Sequence, residues 1–303
     1  MKKNSLTLTV VANMTSNYGE GMGNIASVQK VFKNRHVYSM RSRESLKNAI
    51  MVSSKMYDDL QTEGSGGSNK VVNQKKVNKD LNASNCRALE GGYMNTSDST
   101  YIRKSSFYVT DAISCDRFVN ETRFHNNLYL ATNLAKAKGI NLQDDSSGAG
   151  LMPYQYEYDK SLKVYSITID LEMIGKDENF EGEEGYEEAS KEEKADRVNS
   201  LVTAIENLSL VVKGNLDNAE PVFVVGGLSE RKTHYFENVV KVKDNKLVLS
   251  EDLSDKIAKG FYVGMLKGET FDNEKDIVEK LKPISVVSFF DKVRDDVNKY
   301  YGV

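Results

Sequence analysis

Gly19, Gly21 and Gly23 stand at alternate positions after a strand-like run and ahead of a stretch dense in cations. Backbone without side chains lets N–H groups approach phosphate oxygens closely. Asn13, Asn17 and Asn24 add amide donors and tolerate positive φ. Lys30, Lys33, Arg35, Arg41, Arg43 and Lys47 follow, opposed only by Glu20 and Glu44. Phe32, His36 and Tyr38 are interleaved with them, and aromatic rings stack on bases. The chemistry is therefore phosphate contact. A P-loop needs G-x-x-x-x-G-K-[ST], and a dinucleotide fingerprint needs G-x-G-x-x-G opening into a helix. Here the spacing is G-x-G-x-G, and the next amphipathic pattern begins only at residue 43. Mononucleotide readings fail on that geometry. A groove for the backbone of a polymer remains, beside the plainer reading of a cationic surface loop.

A second candidate is "LMPYQYEY", residues 151–158. Leu151, Met152 and Pro153 follow Gly148 and Gly150, outside any periodic element. An exposed apolar tip wedges between bases and unstacks them; Met packed on the core as a gap-filler is the alternative. Other chemistries lack their residues. His36, His125 and His234 are scattered, with no Cys/His zinc spacing. Cys86 and Cys115 make neither a disulfide framework nor a metal quartet. No G-x-S-x-G occurs, and no close Asp pair suggests a two-metal nuclease. The expectation is a protein with no catalytic residues, metal or cofactor. Residues 177–196 hold ten acidic residues, read as a solvated loop entering a helix and given no functional role.

The charge is unevenly spread. Residues 1–150 carry 20 Lys/Arg against 13 Asp/Glu, whereas residues 151–303 carry 21 against 31, for a net charge of -3. A basic half beside an acidic half suits a polyanion-binding face, or head-to-tail association of identical subunits. No apolar run reaches spanning length, which argues against a membrane protein. Leu6, Leu8 and Val10 alternate with Thr7, Thr9 and Val11, a strand pattern rather than a signal peptide. A cytoplasmic location is expected.

These residues need elements to hold them. Strands are expected at 6–12, 106–113, 162–174, 220–227 and 246–250. Helices are expected at 43–60, with Ser42 as N-cap and Leu46, Ala49, Ile50, Tyr57 and Leu60 on one face, and at 194–213, 272–281 and 286–301. Gly64, Gly66 and Gly67 mark a loop. Residues 68–104 and 114–160 read as insertions, the first an excursion rather than core. Without them the order is strand, helix, strand, strand, helix, strand, the ferredoxin-like order that RNA-recognition modules share. The expected fold class is α+β.

The run "LTLTVVANMTSNYGEGMGNIASVQKVF", followed by "RHVYSMRSRESLKNAIM", resembles the N-terminal signature of the DevR family. That family forms the repeating backbone subunits of type I CRISPR Cascade complexes, and the likeness is nearest to the I-B branch. The matching features are Asn13, Gly23-Asn24, Lys30 to Arg35 and Ser39 to Lys47. "MPYQYEYDKSLKVYSITIDLEMIG" is similar to the family's thumb-to-strand segment, and "KGNLDNAEPVFVVGGL" to its late glycine turn and strand.

The resemblance implies a modified RNA-recognition palm built from residues 1–60, 105–113 and 161–303, the last including the C-terminal helices. Fingers would span 61–104 and a thumb 114–160. Copies would line up head to tail along a CRISPR RNA, beside other Cascade subunits, and target DNA would pair with the exposed guide bases. Asn17, Gly21, Gly23, Asn24, Lys30, Arg35, His36, Arg41, Arg43 and Lys47 would meet the RNA, and Met152 would be the thumb wedge. Neutralising Arg41 or Arg43 would then weaken RNA binding without unfolding the protein. Type III relatives cleave target RNA with an aspartate in the loop after the first strand. This loop has only Glu20, so no nuclease activity is expected. A metal-dependent ribonuclease of that kind, or a regulator that binds its own transcript or operator, are the alternatives.

Overall fold

In the computed structural model, which describes residues 3–19, 25–64, 72–96 and 100–303, the alternating N-terminal run is buried on both faces. It forms β1 (Ser5–Thr15), followed by β2 (Ile25–Ala26), the hairpin β3–β4 (Lys30–Lys33, His36–Arg41) and α1 (Arg43–Ser53). Two further hairpins, β5–β6 (Thr62–Gly64, Val72–Gln74) and β7–β8 (Tyr93–Asn95, Tyr101–Arg103), lead to β9 (Phe107–Val109) and β10 (Ala112–Ser114). Then come β11 (Thr122–His125), α2 (Leu128–Lys138), β12 (Tyr154–Glu157) and β13 (Lys160–Asp170). After α3 (Lys191–Glu206) follow the hairpin β14–β15 (Ser209–Val212, Asn215–Asn218) and β16 (Pro221–Ser229). The chain ends with β17–β18 (Val242–Lys243, Lys246–Leu247), α4 (Glu251–Ile257), β19 (Tyr262–Met265), α5 (Glu274–Leu281) and α6 (Val286–Tyr301).

The main sheet runs β19-β16-β1-β13-β10-β4-β3, with β9 also on β13, and every pairing within it is antiparallel. Leu6, Leu8, Val10, Ala12 and Met14 point to one face, where Leu46 and Ile50 of α1, Val198, Leu201 and Val202 of α3, and Phe289, Phe290 and Val293 of α6 close a single core. The other face is partly hydroxylic. Thr9 and Ser166 share a 2.7 Å hydrogen bond, and the Thr7 hydroxyl donates to the Thr233 carbonyl at 3.1 Å. A second core around Val11, Phe223, Val225, Phe236 and Phe271 covers the rest of that face. β16 runs close against β1 because Gly226 sits at φ 157°, where an added Cβ would lie 2.0 Å from the Thr7 carbonyl oxygen.

Several elements depart from the sequence expectations. The helix expected over 43–60 stops at Ser53, because Lys55 takes a left-handed φ of 57°. Met51 and Met56 enter the core instead of Tyr57, which is exposed. The Ser42 cap is present, its hydroxyl accepting from the Ser45 N–H at 3.3 Å. The strand expected over 106–113 divides into β9 and β10, both on β13. α2, α4 and β19 have no counterpart among the expected elements.

The greatest departure lies in residues 75–96 and 100–104 and the acidic run, which pack on each other. Val77, Leu81, Cys86 and Leu89 form a third core with Phe180. The fully buried Glu90 carboxylate accepts from Arg103 at 3.0 Å, Arg197 of α3 at 2.8 Å and the Gly175 N–H at 2.7 Å. Asp177, also fully buried, accepts from the Ala83 N–H at 3.1 Å and the Tyr93 hydroxyl at 2.8 Å. The first half of the acidic run is therefore a docking strap as well as a solvated loop. Glu90→Gln would leave the buried Arg103 guanidinium without its carboxylate and Arg197 with Glu193 alone. The expected loss in denaturant unfolding is about 3–5 kcal/mol; a loss below about 1 kcal/mol would show that the charge of Glu90 is not what joins these segments.

Candidate nucleic-acid interface

β1 is buried to its C-terminal end, so its last polar groups need protein partners. The Met14 carbonyl accepts from the buried Lys163 ammonium at 2.9 Å, and the Thr15 carbonyl from Arg41 Nε at 3.2 Å. The Thr15 N–H and hydroxyl donate to Asp217 of β15 at 2.8 and 3.0 Å. Ser16 continues the junction, donating through its hydroxyl to Asp159 at 2.7 Å. Lys163 also reaches Asp159 at 2.7 Å. Burial pulls the Lys163 ammonium below its usual pKa, against the pull of Asp159; Asp159 itself, although burial opposes ionisation, is held below the usual carboxylate range by Lys163.

The chain leaving β1 is pinned on both sides. The Asn17 side-chain oxygen accepts from the Ser42 N–H at 2.8 Å, and the Asn17 carbonyl from the Gln29 N–H at 2.8 Å. The Tyr18 hydroxyl donates to the Glu157 carbonyl at 2.8 Å. β2 then pairs in parallel with β12, matching Gln155 to Ile25. The first loop and the 114–160 segment thus share one small sheet. Gly21, Gly23 and Asn24, with Glu20, lie outside the described residues.

The remaining expected RNA contacts divide into two groups. Arg41 is only 4% exposed; it spends Nε on Thr15 and Nη1 on Ser45 at 2.8 Å, and burial lowers its pKa, with Asp217 opposing. In this structure Arg41 is a strut for β1, and its buried Nη2 has no hydrogen-bond partner among the described residues. Lys47 likewise points inward, donating to the Gly91 carbonyl at 3.0 Å and the Ser105 hydroxyl at 2.8 Å. Burial draws its ammonium down to about 8. Lys30 pairs with Glu157 and lies 4.7 Å over the Phe118 ring. Lys30 and Lys33 are exposed on β3, as are Arg35, at φ 65° in the β3–β4 turn, and Arg43, paired at 2.8 Å with the exposed Glu44. His36 is half-buried beside that turn, and Phe32 of the same hairpin is 73% exposed. Met152 is 71% exposed, its N–H donating to the Asn127 side chain at 2.7 Å next to α2. α2 itself exposes Leu128, Leu130 and Tyr129, the last 78% exposed.

The sequence reading missed a cluster beside this junction. Tyr18, Tyr154, Tyr156 and Tyr158 gather with His125 and Arg123 of β11 and Lys213 of the β14–β15 turn. The Arg123 guanidinium lies 3.4 Å from the Tyr158 ring centre, and Lys213 lies 4.8 Å over Tyr18. His125 stacks on Tyr154 with centroids 5.5 Å apart. Burial, with Tyr156 nearby, pushes the Tyr18 phenol up to about 12. The signal was present in "PYQYEYD": tyrosines at every second position of a strand share one face.

Sheet order and site together describe a mixed α/β protein on an antiparallel sheet, and two solved chains share that fold. One, titled "CRISPR RNA-guided surveillance complex, pre-nicking", aligns with 95% of this chain and 100% of its own at a TM-score of 0.58 and 9% identity. The other, titled "CRISPR RNA-guided surveillance complex", aligns with 96% of this chain and 98% of its own at a TM-score of 0.51 and 10% identity. No curated protein matches the chain. The family model described as "CRISPR-associated negative auto-regulator DevR/Csa2" matches residues 6–250, and the chain belongs to that family. Among the described residues no helix is long and apolar enough to cross a membrane.

The two arginines should part in stability measurements. Arg41→Gln is expected to cost about 1–3 kcal/mol, because buried acceptors lose their donors; Arg43→Gln should stay within about 0.5 kcal/mol. Equal losses in denaturant midpoints would refute the assignment. Lys47 carries a pH signature. Its folded pKa lies below the ordinary value, so the unfolded chain binds the extra proton between about 8 and 10.5. Stability relative to Lys47→Met should therefore rise with pH across that window, and a flat difference between the two unfolding curves would contradict it.

Proposed function

We propose that this chain is a non-catalytic, CRISPR RNA-binding backbone subunit of a type I Cascade complex, of the I-B kind. The observation that carries the reading is the meeting of the exposed basic hairpin, the tyrosine cluster and the loop after β1 at one strand end, in a chain of a CRISPR-associated family. Within the main sheet, β16, β1, β13 and the β9/β10 pair follow the order fourth, first, third, second, with α1 and α3 packed on one face. That order supports reading the sheet as an RNA-recognition palm. Such modules stack bases on the open sheet face. Here a second core covers much of that face, so the RNA path runs past the strand ends.

Residues 61–104 act as fingers and 114–160 as a thumb, with Met152 and the apolar surface of α2 at its outer part. Copies associate head to tail along the guide, together with other Cascade subunits, and target DNA pairs with the exposed bases. The complex works in the cytoplasm in antiviral defence. The chain does not cut RNA: incubation with complementary RNA and Mg²⁺ should leave the RNA intact, and cleavage lost on Glu20→Ala would reverse that part. The family's description as a negative auto-regulator favours a second reading, binding to the protein's own operator or transcript. A footprint on upstream DNA in the absence of guide RNA would select it.

The direct test is to co-express the chain with a CRISPR RNA. The protein should elute as an RNA-bearing oligomer, and its binding should weaken as salt rises. Arg35→Gln and Arg43→Gln should each lower the slope of log K against log salt by about 1 without changing sequence preference. A nucleic-acid-free monomer on size exclusion would sink the reading.

A further inference from the structure

Between the end of β1, the β11–β12 pair and the β14–β15 turn lies a pocket of about 180 Å³. Its walls bring together three tyrosine rings, Tyr18, Tyr156 and Tyr158, with Arg123 and Lys213. Both cations sit over rings, Arg123 on Tyr158 and Lys213 on Tyr18. Glu121 approaches Arg123 at 3.6 Å from an exposed position. The lining carboxylate, Asp159, is already matched by Lys163 at 2.7 Å. The lining therefore offers aromatic faces and positive charge with little counter-charge of its own. A flat aromatic ligand that carries an anionic group satisfies both. Tyr154 and His125 continue the stacked rings outward, at 6.2 Å from Tyr156 and 5.5 Å from Tyr154.

We propose that this pocket receives one nucleotide of single-stranded RNA, its base stacked on tyrosine and its phosphate between Arg123 and Lys213. The proposal rests on the RNA-binding reading above and names the place where a base, rather than the phosphate chain, is held. It predicts a preference that phosphate contacts alone would not produce, because base stacking requires a base whereas counterion release requires only phosphates.

The test compares an oligouridylate with an abasic ribose-phosphate oligomer of the same length, each titrated into the full-length chain by fluorescence anisotropy. The wild type should bind the oligouridylate about tenfold more tightly. Tyr158→Leu should remove most of that preference, with a much smaller loss of abasic affinity because Arg123 rests on that ring. Tyr18→Phe, which keeps the ring, should retain it, and Arg123→Gln should weaken both oligomers. If Tyr158→Leu loses its cooperative melt, Tyr156→Leu carries the same test. Equal binding of both oligomers by the wild type overturns the pocket while leaving the RNA-binding reading intact. Failure to bind either oligomer overturns both.

Discussion

The burial of β1 on both faces, interrupted at the exposed Asn13 but complete again at Met14 and Thr15, is the constraint from which the candidate interface follows. A strand that ends in solvent can leave its terminal polar groups to water; this one cannot. Charged side chains from three distant segments finish it: Lys163 on the Met14 carbonyl, Arg41 on the Thr15 carbonyl and Asp217 on the Thr15 N–H. Each brings its own element. Lys163 brings the β12–β13 turn, Arg41 brings β4 and the start of α1, and Asp217 brings the β14–β15 hairpin. The tyrosines, Arg123 and Lys213 stand together because these three elements are anchored to one strand end.

This arrangement divides the positive charge of the N-terminal half by role. Arg41 and Lys47 hold protein carbonyl and hydroxyl groups, and Lys30 answers Glu157. Lys33, Arg35, Arg43 and Arg123 remain toward solvent, joined by Lys213 from the C-terminal half. The surplus of positive charge is real, but less of it faces outward than its count implies.

The acidic run illustrates the opposite case. Ten carboxylates in twenty residues look like a solvated segment, and many of them are. Yet Asp177 is buried, and Glu193 links Arg87 and Arg197 at 2.7 Å each. The insertion that follows α1 carries the complementary groups Arg87 and Arg103, and Glu90 closes the network. Breaking one member of such a buried network costs far more than losing a surface ion pair. Residues 75–96 and 100–104 therefore form a small folded unit attached to α3.

From the sequence alone, the long strands at the N-terminus and near 162 and 221, the Ser42 cap, the last helix over 286–301 and the failure of every mononucleotide motif were legible. They depend on periodicity, capping and spacing, which are local properties of the chain. The family likeness was legible in the order of those local features. Which charges face solvent was not legible, because burial is decided by partners more than a hundred residues away, as with Thr15 and Asp217. The tyrosine pocket was hidden for the same reason: its rings and cations come from β1, the β11–β12 pair and the β14–β15 turn, and only packing brings them within stacking distance.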